Sequence, residues 1–197
     1  NLKPEKSLAD EHYPHRFVTS YNYDLSFGRG KRFGNAAHGV VDGVLGGWAI
    51  GGITTLSSGR LVTAAPQGDP ANVGTSSTSR PNATGISPKL GKSERSLTRW
   101  FNTSAFVIQP PYTFGNASRN NIEAPGRVNF DLAVYKAFQA TEALRVQIRL
   151  EMFNALNHPT FGIPNSINLD NAGRTFYNFQ ENSGGRRTIS MTLNIIF

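Results

Sequence analysis

The last ten residues, TISMTLNIIF from Thr188 to Phe197, alternate between polar and apolar side chains, with Ile196 as the single exception. Because successive side chains of a β-strand point to opposite faces, this alternation predicts a strand with one apolar and one polar face. The apolar face carries Ile189, Met191, Leu193, Ile195 and Phe197. A strand of about ten residues, tilted by about 45°, covers roughly the 25 Å apolar band that a membrane-crossing strand must span.

Four further segments show the same period of two. In the segment Leu144 to Met152, apolar residues at even positions oppose Arg145, Gln147, Arg149 and Glu151. The other three segments are Arg16 to Phe27, the Gly-rich Trp48 to Gly59, and Asn129 to Phe138. Strands of this kind are apolar on one side only, which is typical of antiparallel sheets. The sequence therefore predicts an all-β, antiparallel fold.

The connections between the five segments alternate between short and long, as they do in outer-membrane barrels with short periplasmic turns and long extracellular loops. Ala140 to Ala143 is short and is predicted to be periplasmic. Arg60 to Arg127 and Asn157 to Arg186 are long and are predicted to be extracellular. The first of these contains a Ser/Thr/Pro/Gly-rich tract, Pro66 to Ser93, with the composition of a flexible surface loop. Gly28 to Gly47 must then be periplasmic, although it is longer than such turns usually are.

This arrangement also predicts where the polar residues of the Leu144 to Met152 strand point. The lumen of an outer-membrane barrel is polar and its outer face is apolar. We therefore predict that Arg145, Gln147, Arg149 and Glu151 face the lumen, and that Leu144, Val146, Ile148 and Leu150 contact lipid.

Composition excludes several other classes of protein. No run approaches the roughly 18 apolar residues of a transmembrane helix, and the chain has no cysteine for thiol chemistry. The net charge of +7 is dispersed and accompanies no nucleic-acid-binding motif, so we expect no nucleic-acid partner. Neither a nucleophile elbow nor an H-E-x-x-H helix is present, and His12, His15, His38 and His158 are scattered. We expect no enzymatic activity, no metal and no cofactor.

Seven phrases, taken together and in order, resemble the C-terminal barrel region of Oar-like TonB-dependent receptors. They are HRFVTSYNYDLSFGRGKRF, LGGWAIGGITTLSSG, RWFNTSAF, YTFGNASRN, NFDLAVYKAF, RLEMFNALNHPTFG and TISMTLNIIF. The resemblance implies a Gram-negative outer-membrane barrel of about 22 strands. Residues 1–197 would be the C-terminal part of this single barrel domain and would supply about five or six of its strands, with the plug domain absent from the chain.

The same resemblance implies the partners. These are outer-membrane lipid, the barrel-assembly machinery, a TonB-type energy transducer that acts through the missing plug, and an unknown extracellular ligand. Outer-membrane proteins of this kind commonly end in an aromatic residue preceded by alternating apolar positions. Leu193, Ile195 and Phe197 match this assembly signal, although a domain that happens to end on a buried edge strand would show the same pattern.

Two alternatives remain open at this point. A soluble β-sandwich binding module, for example for carbohydrate, is also built from strands with one apolar face. A structural or adhesive outer-membrane barrel would have the same strands without transport. The sandwich requires Ile189, Met191, Leu193 and Ile195 to pack against a second sheet, whereas a barrel leaves them on an outward apolar belt.

Overall fold

The computed structural model describes residues 5–66, 68–74, 79–141, 143–164 and 185–197. The long strands are β1 (Arg16–Asp24), β2 (Trp48–Ser57), β7 (Arg127–Gln139), β8 (Arg145–Phe153) and β9 (Thr188–Ile196). The short strands are β3 (Leu61–Val62), β4 (Asn82–Ala83), β5 (Phe106–Val107) and β6 (Ile122–Glu123), and a helix, α1 (Val40–Leu45), precedes β2. The predicted all-β class is confirmed.

The long strands form one five-stranded sheet in the order β1-β2-β7-β8-β9. All five predicted strands are present, with shifted ends. β1 stops at Asp24 instead of Phe27, because the chain turns back where the Gly28 N–H donates to the Phe33 carbonyl. β2 stops at Ser57 instead of Gly59. The Ala124 carbonyl lies so close to Gly59 that a Cβ there would collide with it. β7 is longer than predicted.

The antiparallel register of β7, β8 and β9 aligns their alternating patterns. Ile148 lies between Lys136 and Leu193, and Leu150 lies between Val134 and Met191. Since directly opposed residues share a face, the apolar positions of the three strands form one continuous surface. Ile189, Met191, Leu193 and Ile195 are all exposed on it, Met191 by 75%. This apolar face is therefore exposed in the structure, whereas a sandwich would pack it against a second sheet.

The predicted short turn is confirmed. The Ala140 N–H donates to the Leu144 carbonyl over 2.8 Å and closes the hairpin between β7 and β8. The predicted connection Gly28 to Gly47 contains α1, a helix that the sequence analysis missed because Gly43 interrupts its short apolar run. Most of the connection Asn157 to Arg186 lies outside the described residues. Among the residues that the structure describes, no helix has the length and hydropathy to cross a membrane.

A buried asparagine fixes the other end of β8. Asn154 has a left-handed φ of 48° and is 4% exposed. Its side-chain amide donates to the carbonyls of His158 and Gly185, over 2.8 and 2.7 Å, and its Oδ1 accepts from the His158 N–H over 2.9 Å. Its own N–H donates to Asp131 Oδ1 on β7. The turn after β8 is therefore joined both to β7 and to the chain that leads into β9.

The described residues divide into two compact units. Those within Phe17–Leu56, Val128–Pro159 and Phe179–Phe197 form the sheet unit. Those within Asn1–Arg16, Ser57–Arg127 and Thr160–Asn178 form the connector unit. The connector unit holds the two small antiparallel pairs, β3 with β6 and β4 with β5. It also holds a hydrophobic core of Val62, Ala64, Phe101, Ala105, Phe106, Ala117 and Ile122.

The structure also differs from the sequence prediction for the described residues of the tract Pro66 to Ser93. Composition predicted a flexible loop, yet Ser79 and Pro81 are fully buried and Leu90 is buried as well. A polar residue closes one of its turns: the carboxylate of Asp69 accepts from the Gly74 N–H over 2.7 Å. A polar composition suggests exposed residues. Here, however, a polar side chain accepts a backbone hydrogen bond, and small side chains of the tract are buried.

Candidate ligand-binding site

The four predicted lumen residues, Arg145, Gln147, Arg149 and Glu151, alternate along β8 on one face of the sheet unit. Across from Arg149 stand Tyr135 on β7 and Thr192 on β9. The Arg149 guanidinium lies 2.6 Å from a Glu151 oxygen and 5.2 Å from the centre of the Tyr135 ring. The structure thus joins these side chains in a polar strip across three strands, and its orientation toward a lumen stays a prediction.

One end of the polar strip borders a cavity of about 420 Å³ within the sheet unit. Its polar lining residues are Asn22, Asp24, Lys31, Tyr135, Arg145 and Gln147. Two of the four predicted residues therefore line a space in which a polar solute fits.

The residues of the predicted assembly signal lie on and beyond β9. Leu193 pairs with Ile148 and Ile195 with Val146, so both lie on the apolar face. Phe197 follows the strand and is exposed. This position fits a strand edge that another protein can recognise, and the assembly role itself stays a prediction.

A second polar site, which the sequence analysis missed, lies in the connector unit around Asn120. This residue has a left-handed φ of 51° and is buried. Its N–H donates to Thr63 Oγ1 over 3.0 Å, and the Thr63 hydroxyl donates back to its Oδ1 over 2.9 Å. The side-chain amide donates to the Leu8 carbonyl over 2.7 Å and to Asp10 Oδ1 over 2.6 Å. Asn120 therefore holds the segment around Leu8 and Asp10 against β3.

Three arginines surround this asparagine. Arg119 contacts the Asp10 carboxylate over 3.1 Å, and Arg80 forms an ion pair with Glu5. The Arg60 guanidinium has no ion pair with any residue in the described part of the chain. The Asn120 amide and then the Arg119 guanidinium hold the pKa of the exposed Asp10 carboxyl below its ordinary value. Three positive charges thus face two carboxylates from a single segment.

The arginines line a cavity of about 650 Å³ inside the connector unit, which we call the arginine cleft. Its lining residues are Glu5, Asp10, Arg60, Leu61, Val62, Thr63, Ala65, Ser79, Arg80, Arg119 and Asn120. This volume is within the range of small-molecule sites. Guanidinium groups match carboxylate and phosphate oxygens in geometry and charge, so the cleft suits a ligand with an anionic group.

No motif of the sequence could reveal the arginine cleft. Arg60 and Arg119 are far apart along the chain, and the antiparallel pairing of β3 with β6 brings them together. The phrase YTFGNASRN contains Arg119 and Asn120, but a pair of polar residues in a predicted loop indicates no geometry. The missing information is a pairing of two-residue strands, which are too short to show a period.

A sheet with a continuous polar face and an exposed, continuous apolar face has the pattern of a transmembrane β-barrel wall. Residues 1–189 match the family described as outer membrane beta barrel domain, and the chain belongs to this family. The outer membrane is the location that this family implies. Neither a curated protein nor a solved structure matches the chain significantly.

Proposed function

We propose that the chain is part of a Gram-negative outer-membrane receptor and transporter of the TonB-dependent, Oar-like type. The single observation that carries a binding role is the arginine cleft, a cavity with three guanidinium groups in the connector unit. The connector unit comprises most of the connection Arg60 to Arg127, which the alternation of turn lengths predicts to be extracellular. The proposal is binding and passage of a solute, without a catalysed reaction.

The ligand class follows from the charges of the cleft. Of the three cleft arginines, Arg60 is the one without an ion pair among the described residues, and its positive charge helps to lower the pKa of Asp10. Arg119 is paired with an exposed carboxylate of the N-terminal segment, which an incoming anion can replace. We therefore propose a small ligand that carries a carboxylate or phosphate group.

Calorimetric titration of the full-length protein in detergent micelles tests this proposal, with citrate and inorganic phosphate as probes and maltose as the neutral comparison. Arg60→Gln should weaken binding of the anionic probe about tenfold or more, because a charge-assisted hydrogen bond contributes roughly 1.5–3 kcal/mol. Arg99→Gln is the matched control, since Arg99 is an exposed arginine of the same unit that does not line the cleft. Equal affinities for wild type and Arg60→Gln would refute the assignment.

Energised passage rests on the resemblance to TonB-dependent receptors, and a cellular experiment separates it from binding. We expect uptake of the bound anion to stop when the inner-membrane proton gradient is collapsed, while surface binding persists. Uptake that continues unchanged would refute energised transport and indicate passive passage through the barrel. Binding without any uptake would indicate a structural barrel.

Assembly into the membrane is proposed to depend on the Leu193, Ile195 and Phe197 signal. Deletion of Phe197 from the full-length protein should lower the folded fraction in the outer membrane, measured by heat-modifiable migration in gel electrophoresis. A Phe197→Tyr variant keeps an aromatic end and should assemble normally. Normal assembly of the deletion variant would refute the role of Phe197 in assembly and would indicate that it is only the last residue of an edge strand.

A further inference from the structure

The helix α1 lies on the apolar face of the sheet unit. Lys136 of β7 pairs with Ile148 of β8 and therefore shares the face on which Ile148 lies. The Lys136 ammonium donates to the carbonyl of Val44 over 3.3 Å and to that of Gly46, at the C-terminal end of α1. The indole N–H of Trp48 donates to the same Val44 carbonyl over 2.8 Å. These bonds fix the end of the helix over Lys136.

This arrangement explains how a lysine is accommodated among apolar residues. Lys136 is 7% exposed, and its ammonium lies 5.1 Å from the centre of the Trp48 ring. A charge on the lipid-facing side of a barrel strand is costly unless it is near the interface or paired. The helix carbonyls accept hydrogen bonds from the Lys136 ammonium. The negative end of the helix dipole also stabilises its charge. The helix therefore covers a charge that would otherwise face lipid.

One side of α1 is apolar and exposed. Val40, Val41, Val44 and Leu45 are all exposed, Val40 by 84%. These positions are spaced by one and four residues, so they form one stripe of the helix. Asp42 lies off this stripe, and its carboxylate accepts from the Arg29 N–H over 2.6 Å. The helix α1 therefore carries an exposed apolar stripe and one acidic residue off that stripe.

The residues that precede α1 add basic and aromatic groups. Phe27 and Phe33 are exposed, and their ring centres lie 5.5 Å apart. Arg32 lies over the Phe33 ring, with its guanidinium carbon 5.6 Å from the ring centre. Arg29 and Lys31 are exposed in the same turn. Basic residues beside exposed apolar side chains are the composition of segments that bind anionic lipid surfaces.

We propose that α1 is an interfacial membrane anchor: it lies in the plane of the bilayer surface, at the end of the sheet where β7 turns into β8. Its apolar stripe enters the lipid leaflet, and Arg29 and Arg32 bind anionic phospholipid headgroups. The occupant is lipid because the end of α1 is bonded to Lys136 on the apolar face of the sheet, and an outer-membrane barrel presents such a face to lipid. The inference rests on the proposed outward orientation of that face.

Nitroxide labels on the full-length protein in phosphatidylcholine/phosphatidylglycerol vesicles test the anchor. The chain has no native cysteine, so single cysteines can be introduced at Val40, Gly43 and Ile148. Gly43 is the matched control in the same helix, since a Cβ there meets open space. The label at Val40 should favour oxygen over a water-soluble nickel chelate, at a depth of about 5–10 Å, whereas the label at Gly43 should favour the chelate. Vesicles without phosphatidylglycerol should give a shallower Val40 label.

The outcomes separate this inference from the proposed barrel orientation. A lipid-exposed Ile148 with water-exposed labels at both Val40 and Gly43 would overturn the anchor and leave the orientation intact. A water-exposed Ile148 would overturn the orientation itself. A Val40 label shielded from both reagents would show that protein covers α1, for example a second copy of the chain, and would also overturn the anchor. A depth that is independent of phosphatidylglycerol would refute the headgroup contacts.

Discussion

The connector unit and the sheet unit place their apolar side chains in opposite ways. In the connector unit Phe101 is 3% exposed and packs edge-on to Phe106, with ring centres 6.1 Å apart. In the sheet unit Met191 and Leu193 stand on the surface of β9. The first arrangement removes apolar area from water within the chain, and the second leaves that area for a surrounding apolar medium. The connector unit therefore buries its apolar side chains within the protein, whereas the sheet unit exposes them on one face of its sheet.

The largest effect should follow from emptying the connector core. Phe101→Ala removes a buried ring and should destabilise the connector unit by about 3–5 kcal/mol. Hydrogen exchange of the full-length protein in micelles reports this locally. The Ala105 and Ala117 amides, which donate to the Asn102 and Pro81 carbonyls over 3.2 and 3.0 Å, should lose protection.

The matched substitution in the sheet unit is Met191→Ala. Met191 is exposed, so its truncation leaves no cavity and should change hydrogen exchange by less than about 0.5 kcal/mol. Equal loss of protection in the two variants would mean that β9 is covered by protein, and the contrast between the units would fail.

A charge on the apolar belt should give the next largest effect. Leu150 lies near the middle of β8, opposite Val134 and Met191, so an arginine there would meet no opposed cation. Leu150→Arg should cost about 2–4 kcal/mol near the bilayer midplane, measured by urea titration of folding into vesicles. Gln147→Arg, on the polar face of the same strand, is the control and should be nearly neutral. The reverse ranking would exchange the lipid and lumen faces.

The sequence could predict the sheet unit far better than the connector unit. Nine-residue strands such as β8 and β9 show several full periods, so alternation assigns both their type and their two faces. The pairs β3 with β6 and β4 with β5 involve two residues per strand, and two residues have no measurable period. The shared polar face of Arg145, Gln147, Arg149 and Glu151 was therefore predictable, whereas the arginine cleft depends on contacts between distant turns. The contacts that accommodate Lys136 on the apolar face were equally hidden, because they come from the end of α1.

Loss of the Asn154 amide should have a smaller effect, at the end of the sheet unit. Asn154→Ala leaves the His158 N–H and the Gly185 carbonyl without their partner and should cost about 1–3 kcal/mol, measured as a lower melting temperature in micelles. Asn154→Gly keeps the left-handed backbone accessible and so isolates the loss of the amide. Asn72→Ala is the control for the backbone, because Asn72 has a similar φ of 55° and is exposed. Similar losses at both positions would assign the effect to backbone strain.

The smallest effect concerns the contact between Asp10 and the arginine cleft, and pH controls it. The Asn120 amide and the Arg119 guanidinium lower the pKa of Asp10 in the folded protein, so folding favours its charged form. The contact therefore contributes its stability fully above the ordinary aspartate pKa of about 3.9, and this contribution is lost as the pH falls through the lower, folded value. Asp10 is exposed, so solvent screening keeps the contribution small, although it is measurable.

Asp10→Asn removes the carboxylate charge at neutral pH and should mimic the acid state. A nitroxide at Ser7 should become more mobile in this variant at pH 7, as it should in the wild type once the pH falls below the lowered pKa of Asp10, because the segment loses its ion pair with Arg119. Glu11→Gln, at the neighbouring exposed residue, is the control and should leave the label unchanged. Release of Arg119 should also strengthen phosphate binding in the cleft. If Asp10→Asn left both label mobility and phosphate affinity unchanged, the N-terminal segment would be a fixed wall of the cleft and not a group that competes for its arginines.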